Sequence, residues 1–173
     1  MKGKNYRISK ANVYTRAKYI HGNPASKIVK FSMGDPKANY DYKITLISQM
    51  KIQVVHNALE AARISANKVL SEKLGETGYL MRIRVYPHVI LRENKMIATA
   101  GADRLQEGMR RAFGKPTSRG ARIKRNQELI DVFVNESSIQ LAKEALTACS
   151  KKLPIQCRIT VERINEAPKQ IEA

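Results

Sequence analysis

The residues of this chain that could do chemistry are mostly arginines and lysines, and they are concentrated in two segments. In residues 82–125, twelve of 44 residues are Lys or Arg and three are acidic, so this segment carries +9 of the formal net charge of +17. Residues 1–30 contain eight basic residues and no acid. Cationic groups at this density favour phosphate polymers, because neutralising many phosphates releases condensed counterions. The pattern indicates a nucleic-acid partner, with an anionic membrane surface as the alternative.

The sequence shows little sign of a catalytic site. The sequence has no HExxH, CxxC or GxSxG motif, and GxxxxGK[ST] is absent because Gly108 is followed by Met109. Asp103 beside Arg104 resembles a local ion pair more than a catalytic pair. The histidines are scattered along the chain, at His21, His56 and His88. We therefore predict neither an enzyme nor a bound metal or organic cofactor, and we interpret His56 as a capping or surface residue.

The two cysteines, Cys149 and Cys157, suit a reducing compartment and are interpreted as small buried apolar residues. No run approaches the ~18 apolar residues of a membrane-spanning helix. The first residues also lack the apolar core of a signal peptide. These features predict a cytoplasmic location.

The N-terminal 25 residues alternate bases with aromatic rings, including Tyr6, Tyr14 and Tyr19. No helical stripe runs through them, so we predict an extended arm whose bases contact phosphates and whose rings stack on unpaired bases. A disordered basic tail is the alternative.

The remaining chain alternates strand and helix patterns. Spacings of three and four predict a helix from Val55 to Gly75, and Ser137 with Gln140 forms a capping-box pattern before a second helix that ends near Lys151. The predicted strands are 27–31, 40–50, 78–85, 88–92, 120–125, 129–134 and 157–162. This order predicts an α/β (α+β) two-layer sandwich with two main helices on a mixed sheet.

One strand and one loop contain basic residues in arrangements that suit phosphate binding. In strand 78–85, Met81, Ile83 and Val85 face the core, whereas Arg82 and Arg84 share the opposite face about 7 Å apart, near the spacing of successive phosphates. Residues 98–116 form a long glycine-containing loop, which in a compact domain is usually functional or disordered. We divide the chain into a basic arm (1–26), one α/β domain (27–164) that includes this loop, and a C-terminal tail (165–173).

Two stretches resemble a known family closely. The helix NALEAARISANKVL and the following MRIRVYPHVILRENKMIATAGADRLQEGMRRAFGKP are similar to the large-subunit ribosomal protein sixteen family, in its archaeal and eukaryotic ten-e branch. KNYR, YTRAKYIHGNPASKI and FSMGDP resemble the family's basic N-terminal segment. The resemblance covers nearly the whole chain, and AGADRLQ-x-GMR-x-AFGKP is its most specific part.

The resemblance implies a hammerhead-like sandwich that is a late-joining structural constituent of the large ribosomal subunit. It implies contact with large-subunit ribosomal RNA near the aminoacyl-tRNA site, and a loop (98–116) directed at the peptidyl transferase centre and at tRNA. By motif match, the tRNA-facing residues are Arg104, Gln106, Arg110, Arg111 and Lys115. The residues that we predict to bind ribosomal RNA are Lys2, Lys4, Tyr6, Arg7, Lys10, Tyr14, Arg16, Lys18, Tyr19, His21, Arg82, Arg84, His88, Arg92, Lys95, Arg119, Arg122 and Lys124.

The expected partners are large-subunit ribosomal RNA, tRNA and neighbouring ribosomal proteins. We expect no membrane binding and no homo-oligomer. The sequence departs from the family where Val89 follows His88, since relatives often carry a second ring there. The arm also lacks the extra cysteines of eukaryotic members, which favours an archaeal origin. The alternatives are an assembly factor or RNA chaperone that leaves mature ribosomes, and an RNA-modifying enzyme.

Overall fold

The computed structural model describes residues 2–8, 12, 15, 17–95 and 108–164. In these ranges the strands are β1 (Ser32–Gly34), β2 (Tyr42–Ser48), β3 (Ile52–Val55), β4 (Leu80–Ile83), β5 (Val89–Glu93), β6 (Lys115–Ile123), β7 (Glu128–Val134) and β8 (Cys157–Arg163). The helices are α1 (His56–Leu74) and α2 (Ile139–Ser150). Short 3₁₀ turns cover Gly3–Tyr6, Ala17–Tyr19, Gly108–Arg111 and Glu136–Ser138.

Five strands form an antiparallel sheet in the order β1-β4-β7-β2-β8. Side chains alternate across a strand, so one face of this sheet collects its aliphatic residues. Ile44 lies opposite Val132 and Leu46 opposite Ile130, and all four side chains are buried completely. Each such burial stabilises the fold by about 1.5–3 kcal/mol. This face therefore supplies much of the hydrophobic core.

The two helices pack against each other and join the same core. The buried residues of α1 include Leu59, Ala62, Ala66 and Leu70, which recur at spacings of three and four and form one stripe. The helix ends before Gly75, whose backbone N–H donates to the Ser71 carbonyl at 3.1 Å. The apolar residues that recur along the sequence of α1 are thus the residues that the helix buries.

The other three strands form a smaller antiparallel sheet in the order β3-β6-β5. β3 runs straight into α1, since Val55 is both the last residue of the strand and the N-cap of the helix. The first turn of α1 is thereby positioned beside this smaller sheet. β5 and β6 are the strands on either side of the long loop.

Most of the predicted elements are confirmed, including both helices and the strands around 40–50, 129–134 and 157–162. The strand predicted over 27–31 is wrong, because pairing begins only at Ser32. β3 was not predicted. β6 starts at Lys115, so the last two residues of the predicted loop belong to a strand.

Two further expectations need correction. The α+β class with two main helices is confirmed, but the strand pairs of the described residues are all antiparallel and divide into two sheets, so the single mixed sheet is wrong. The capping box is also wrong. A 3₁₀ turn precedes α2, and the N-cap, Ser138, makes no side-chain capping bond.

Cys149 is buried completely, which confirms its interpretation as a small core residue. Burial raises the pKa of its thiol to about 12, and the pKa of the half-buried Cys157 thiol to about 11. Both cysteines are free thiols that stay protonated near neutral pH. Within the described ranges, neither helix has the length and apolar character that crossing a bilayer requires.

Candidate RNA-binding surface

The N-terminal arm lies along the three-stranded sheet. The backbone N–H of Gln53 in β3 donates to the Arg7 carbonyl at 2.8 Å, and the Gln53 side chain donates to the Tyr6 carbonyl at 2.9 Å. Farther along, the N–H of Ile90 in β5 donates to the Thr15 carbonyl at 2.9 Å. These bonds attach the described part of the arm to both outer strands of the small sheet.

Tyr6 and Tyr19 are placed differently. The Tyr6 hydroxyl donates to the Arg92 carbonyl at 2.7 Å, and burial together with the charge of Glu93 raises the pKa of this phenol. Tyr19 is 66% exposed, with the Lys18 ammonium 5.6 Å from its ring centre. Tyr19 therefore offers an open ring for stacking, whereas Tyr6 fastens the arm to β5.

Arg119, in the middle of β6, holds the turn that ends the arm. Its Nε donates to the Pro24 carbonyl and its Nη2 to Asn23 Oδ1, both at 2.6 Å. Asn23 in turn donates from Nδ2 to the Ile20 carbonyl at 2.9 Å. The planar guanidinium fork suits two acceptors at once. Two of its donors are thus used inside the chain.

Arg92 and Arg122 also make internal contacts. The Arg92 guanidinium donates to the Phe113 carbonyl and lies 3.6 Å from the centre of the Phe113 ring. Arg122 Nε donates to Gln53 Oε1 at 3.3 Å. Arg92 thereby links the last part of β5 to the segment just before β6.

The two ends of the long loop are held close together. Glu93 pairs with Lys115 where β5 and β6 meet, and Gly114 precedes this pair with a φ of +75°. A Cβ at Gly114 would lie 2.7 Å from the backbone N of Asn94, closer than a side chain tolerates. Glu93 and Lys115 therefore lie side by side at the two ends of this segment.

Part of the predicted loop chemistry lies in the described residues. Met109 and Arg110 are exposed in the 3₁₀ turn, Phe113 is 63% exposed, and Lys115 is exposed at the start of β6. For Arg111 only the backbone is described. Arg104 and Gln106 lie outside the described residues, as do Lys10, Tyr14 and Arg16 of the arm.

Arg82 and Arg84 lie on the outer face of the five-stranded sheet, as predicted. Both are exposed, while Met81 and Ile83 point into the core. Arg84 approaches Glu128 and Asp131 at 3.5 Å each. One of these two arginines is therefore partly neutralised by acids, and the other is open to solvent.

Asp131 beneath Arg84 is a buried carboxylate that the sequence analysis missed. It is 1% exposed, and Arg84 Nε lies 3.5 Å from its Oδ2. Lys43 lies 3.8 Å away. Burial raises the pKa of this carboxyl and the charge of Glu128 adds to that, whereas Lys43 and Arg84 oppose it. A strand pattern shows which face a residue occupies but not how deep that face is buried.

The other predicted RNA-binding residues lie on the surface. His88 is exposed, with Nδ1 3.2 Å from the Tyr86 carbonyl, and Tyr86 stacks on Phe31 with ring centres 5.5 Å apart. The remaining exposed positions are Lys2, Lys4, Arg7, Lys18, His21, Lys95 and Lys124. The surface thus combines exposed cations with a smaller set of arginines that hold the arm and the loop.

His56, which was expected to be a capping or surface residue, is neither: Val55 is the N-cap of α1, and His56 is 2% exposed. Its Nδ1 accepts the backbone N–H of Lys27 at 3.2 Å, and its Nε2 lies 3.1 Å from Ser118 Oγ. Burial, followed by the charges of Lys27 and Arg119, lowers the pKa of the imidazole. His56 therefore joins α1, β6 and the segment after the arm as a neutral ring.

Comparison with known proteins identifies the family. A family model described as ribosomal protein L16p/L10e matches residues 9–160. The large ribosomal subunit protein uL16 of Hyperthermus butylicus is 51% identical over 156 residues, which cover 90% of this chain and 87% of the relative. The proteins of the same name from Methanococcus maripaludis and Sulfolobus acidocaldarius are 47% and 48% identical, over 95% of this chain in each case. This chain therefore belongs to the ribosomal protein L16p/L10e family.

Proposed function

We propose that this protein is a non-enzymatic structural constituent of the large ribosomal subunit that binds large-subunit ribosomal RNA near the aminoacyl-tRNA site. Its loop 98–116 helps to position tRNA and is directed at the peptidyl transferase centre. Membership in a ribosomal protein family supports the role in the subunit. The finer placement rests on the motif match and on the basic surface.

The observation that carries the proposal is the arrangement of the basic segments around the three-stranded sheet. The arm is bonded to β3 and β5, while β5 and β6 hold the two ends of the loop. Both basic segments therefore leave the same small sheet. Because both are attached to this sheet, the arm and the loop can contact the same region of RNA.

The chemistry of this surface suits folded RNA. The deep major groove of A-form RNA hides base edges, so a protein recognises phosphates, shape and unpaired bases. Arginine binds phosphate through a planar fork and stacks on bases, whereas lysine acts as a point charge. The exposed ring of Tyr19 and the exposed guanidinium of Arg110 provide both kinds of contact.

The proposal is tested by replacing Arg110 and Arg111 together with Ala. We expect an unchanged unfolding temperature, because Arg110 is exposed, but slower tRNA accommodation or delayed subunit maturation. The matched control is Lys68→Ala with Lys73→Ala on α1. It removes the same charge from surface ion pairs worth about 0–1 kcal/mol. Normal accommodation and normal subunit profiles in the arginine variant would reject the proposed loop role.

Salt resistance distinguishes a structural constituent from an assembly factor that leaves the mature ribosome. A structural constituent should remain on purified large subunits through a high-salt wash, because many simultaneous contacts hold it. A transient factor should be released, since purely electrostatic RNA binding weakens steeply with salt.

A further inference from the structure

A cavity of about 590 Å³ lies where the arm, the start of α1, β6 and the segment after α2 meet. Four basic residues line it: Lys4 and Arg7 from the arm, Lys27 from the segment after the arm, and Lys152 from the segment after α2. The described lining contains no acidic residue. Its volume lies in the range of ~300–1,000 Å³ that is typical of small-ligand sites. A cavity of this charge is suited to an anion.

Backbone groups of α1 add to the positive character of the cavity. His56, Asn57 and Ala58, the first three residues of the helix, line it. The N-cap, Val55, has no side chain that could accept their N–H groups, and the first turn contains no acid. The amides at the start of a helix lack intrahelical acceptors and carry the positive end of its dipole. They are donors for an anion in the cavity.

A buried hydroxyl supplies an independent indication of a ligand. Because His56 Nδ1 accepts the Lys27 N–H, the neutral ring carries its proton on Nε2 and donates it to Ser118 Oγ. Ser118 is 6% exposed, and its side chain makes no other bond among the described residues. With Oγ accepting from His56, the hydroxyl proton of Ser118 has no acceptor within the part of the chain that the structure describes, and this residue lines the cavity.

We propose that this cavity is a built site for one phosphodiester group of the bound RNA strand. The phosphate oxygens accept from Ser118 Oγ and from the first-turn amides, and Lys4, Arg7, Lys27 and Lys152 balance the charge. The volume also leaves room for the attached ribose. The identity of the ligand rests on the proposed function. The inference adds the position at which the arm and the α/β domain contact the same RNA strand.

Adjacent lysines provide a matched test. Lys152 lines the cavity, whereas Lys151 does not, and both are exposed residues just after α2. Inorganic phosphate is titrated into the full-length, ¹⁵N-labelled protein at constant ionic strength, with amide shifts recorded by NMR. We expect saturable shifts at Asn57 and Ala58. Lys152→Ala should weaken this binding by about tenfold, because it removes one of the four charges that balance the phosphate, and Lys151→Ala should leave it within about twofold.

Ser118→Ala tests the hydroxyl separately, with its thermal unfolding measured to show that the variant is folded. We expect weaker phosphate binding in this variant as well. Equal effects of Lys152→Ala and Lys151→Ala would overturn the site. Shifts that chloride reproduces, or that do not saturate, would overturn it too.

The same variants are then bound to large-subunit RNA to separate this inference from the proposed function. Wild-type protein that binds the RNA, with Lys152→Ala weakened and Lys151→Ala unchanged, supports both. Wild-type protein that binds the RNA, with the two lysine variants equally affected, rejects only the cavity. Failure of the wild-type protein to prefer this RNA over an unrelated polyanion would reject the proposed function even if phosphate occupies the cavity.

Discussion

The two sheets of this protein use their residues in different ways. The five-stranded sheet buries aliphatic side chains against two helices and balances Arg84 and Lys43 with Glu128 and Asp131. The three-stranded sheet carries the arm and the loop. There, Arg92 and Arg119 donate to carbonyl and amide oxygens of the chain itself. Basic residues of a strongly basic protein can therefore stabilise its fold as well as contact RNA.

The largest effect on the five-stranded sheet is expected from Gly34→Ala. Gly34 has a φ of +94°, and a Cβ would lie 1.9 Å from the Tyr79 carbonyl oxygen, so β1 must move away from β4. We expect a loss of about 3–5 kcal/mol in the free energy of unfolding, measured by urea titration.

Gly22→Ala in the arm is the control for this substitution. Gly22 has a φ of +67° but no atom within 4 Å of the added Cβ, so only backbone strain of about 1–2 kcal/mol is expected. Equal losses in the two variants would show that the β1–β4 contact is unimportant for stability.

The second-largest loss of stability is expected at His56, which links α1 to β6 and to the segment after the arm. His56→Ala should cost about 2–4 kcal/mol, because it leaves a cavity and removes the acceptor of the Lys27 N–H and the partner of Ser118.

The pH dependence of stability gives a second readout for His56. Its folded pKa is lowered, so the unfolded chain binds a proton more readily, and stability should fall as the pH drops below the unfolded value of about 6.5. This part of the pH dependence should be missing in His56→Ala. A wild-type protein equally stable at pH 7 and pH 5.5 would contradict the neutral, buried ring.

A smaller effect is expected when the arm is released. Arg119→Ala should cost about 1–3 kcal/mol through two lost charge-assisted bonds, and hydrogen exchange should increase at residues 17–24. Arg82→Ala is the control, because Arg82 is exposed and its side chain makes no bond to the described residues. If Arg82→Ala lowered stability as much as Arg119→Ala, the distinction between arginines that stabilise the fold and arginines that contact RNA would be wrong.

The smallest change is expected from Asp131→Asn. Because burial raises the folded pKa of this carboxyl, its contribution to stability decreases as the pH rises from its unfolded pKa of about 3.9 through the raised folded value. The variant should lack this decrease and should be at least as stable as wild type near pH 7, within about 1 kcal/mol. A strongly destabilised variant at pH 7 would show that the ion pairs with Lys43 and Arg84 outweigh burial.

Local patterns predicted those parts of the fold whose burial repeats along the chain. The stripe of α1 and the alternation in β2, β7 and β8 are such cases. β3 was missed because it has only four residues and its last residue, Val55, fits the apolar spacing of α1. Ser137 and Gln140 have the capping-box spacing, but a 3₁₀ turn occupies the position where the helix would have begun.

The sequence predicted which residue types form the candidate site, but it did not predict which residues those side chains contact. Charge density marked the arm and loop, because phosphate binding needs many cations in any arrangement. The roles of Arg119 and His56 depend on Asn23 and Ser118, which lie 96 and 62 residues away in the chain. No local pattern contains a contact of that length. Asp131 was missed for the same reason, since its burial is decided by neighbouring strands.

The role in the large ribosomal subunit is tested by sedimentation of a tagged copy of this protein on a sucrose gradient, after its large subunits have been washed at high salt. We expect the protein in the large-subunit and whole-ribosome fractions and not at the top of the gradient, with the Arg110 and Arg111 double variant still bound but defective in tRNA accommodation. Recovery of the wild-type protein only at the top of the gradient would contradict its proposed role as a constituent of the large subunit.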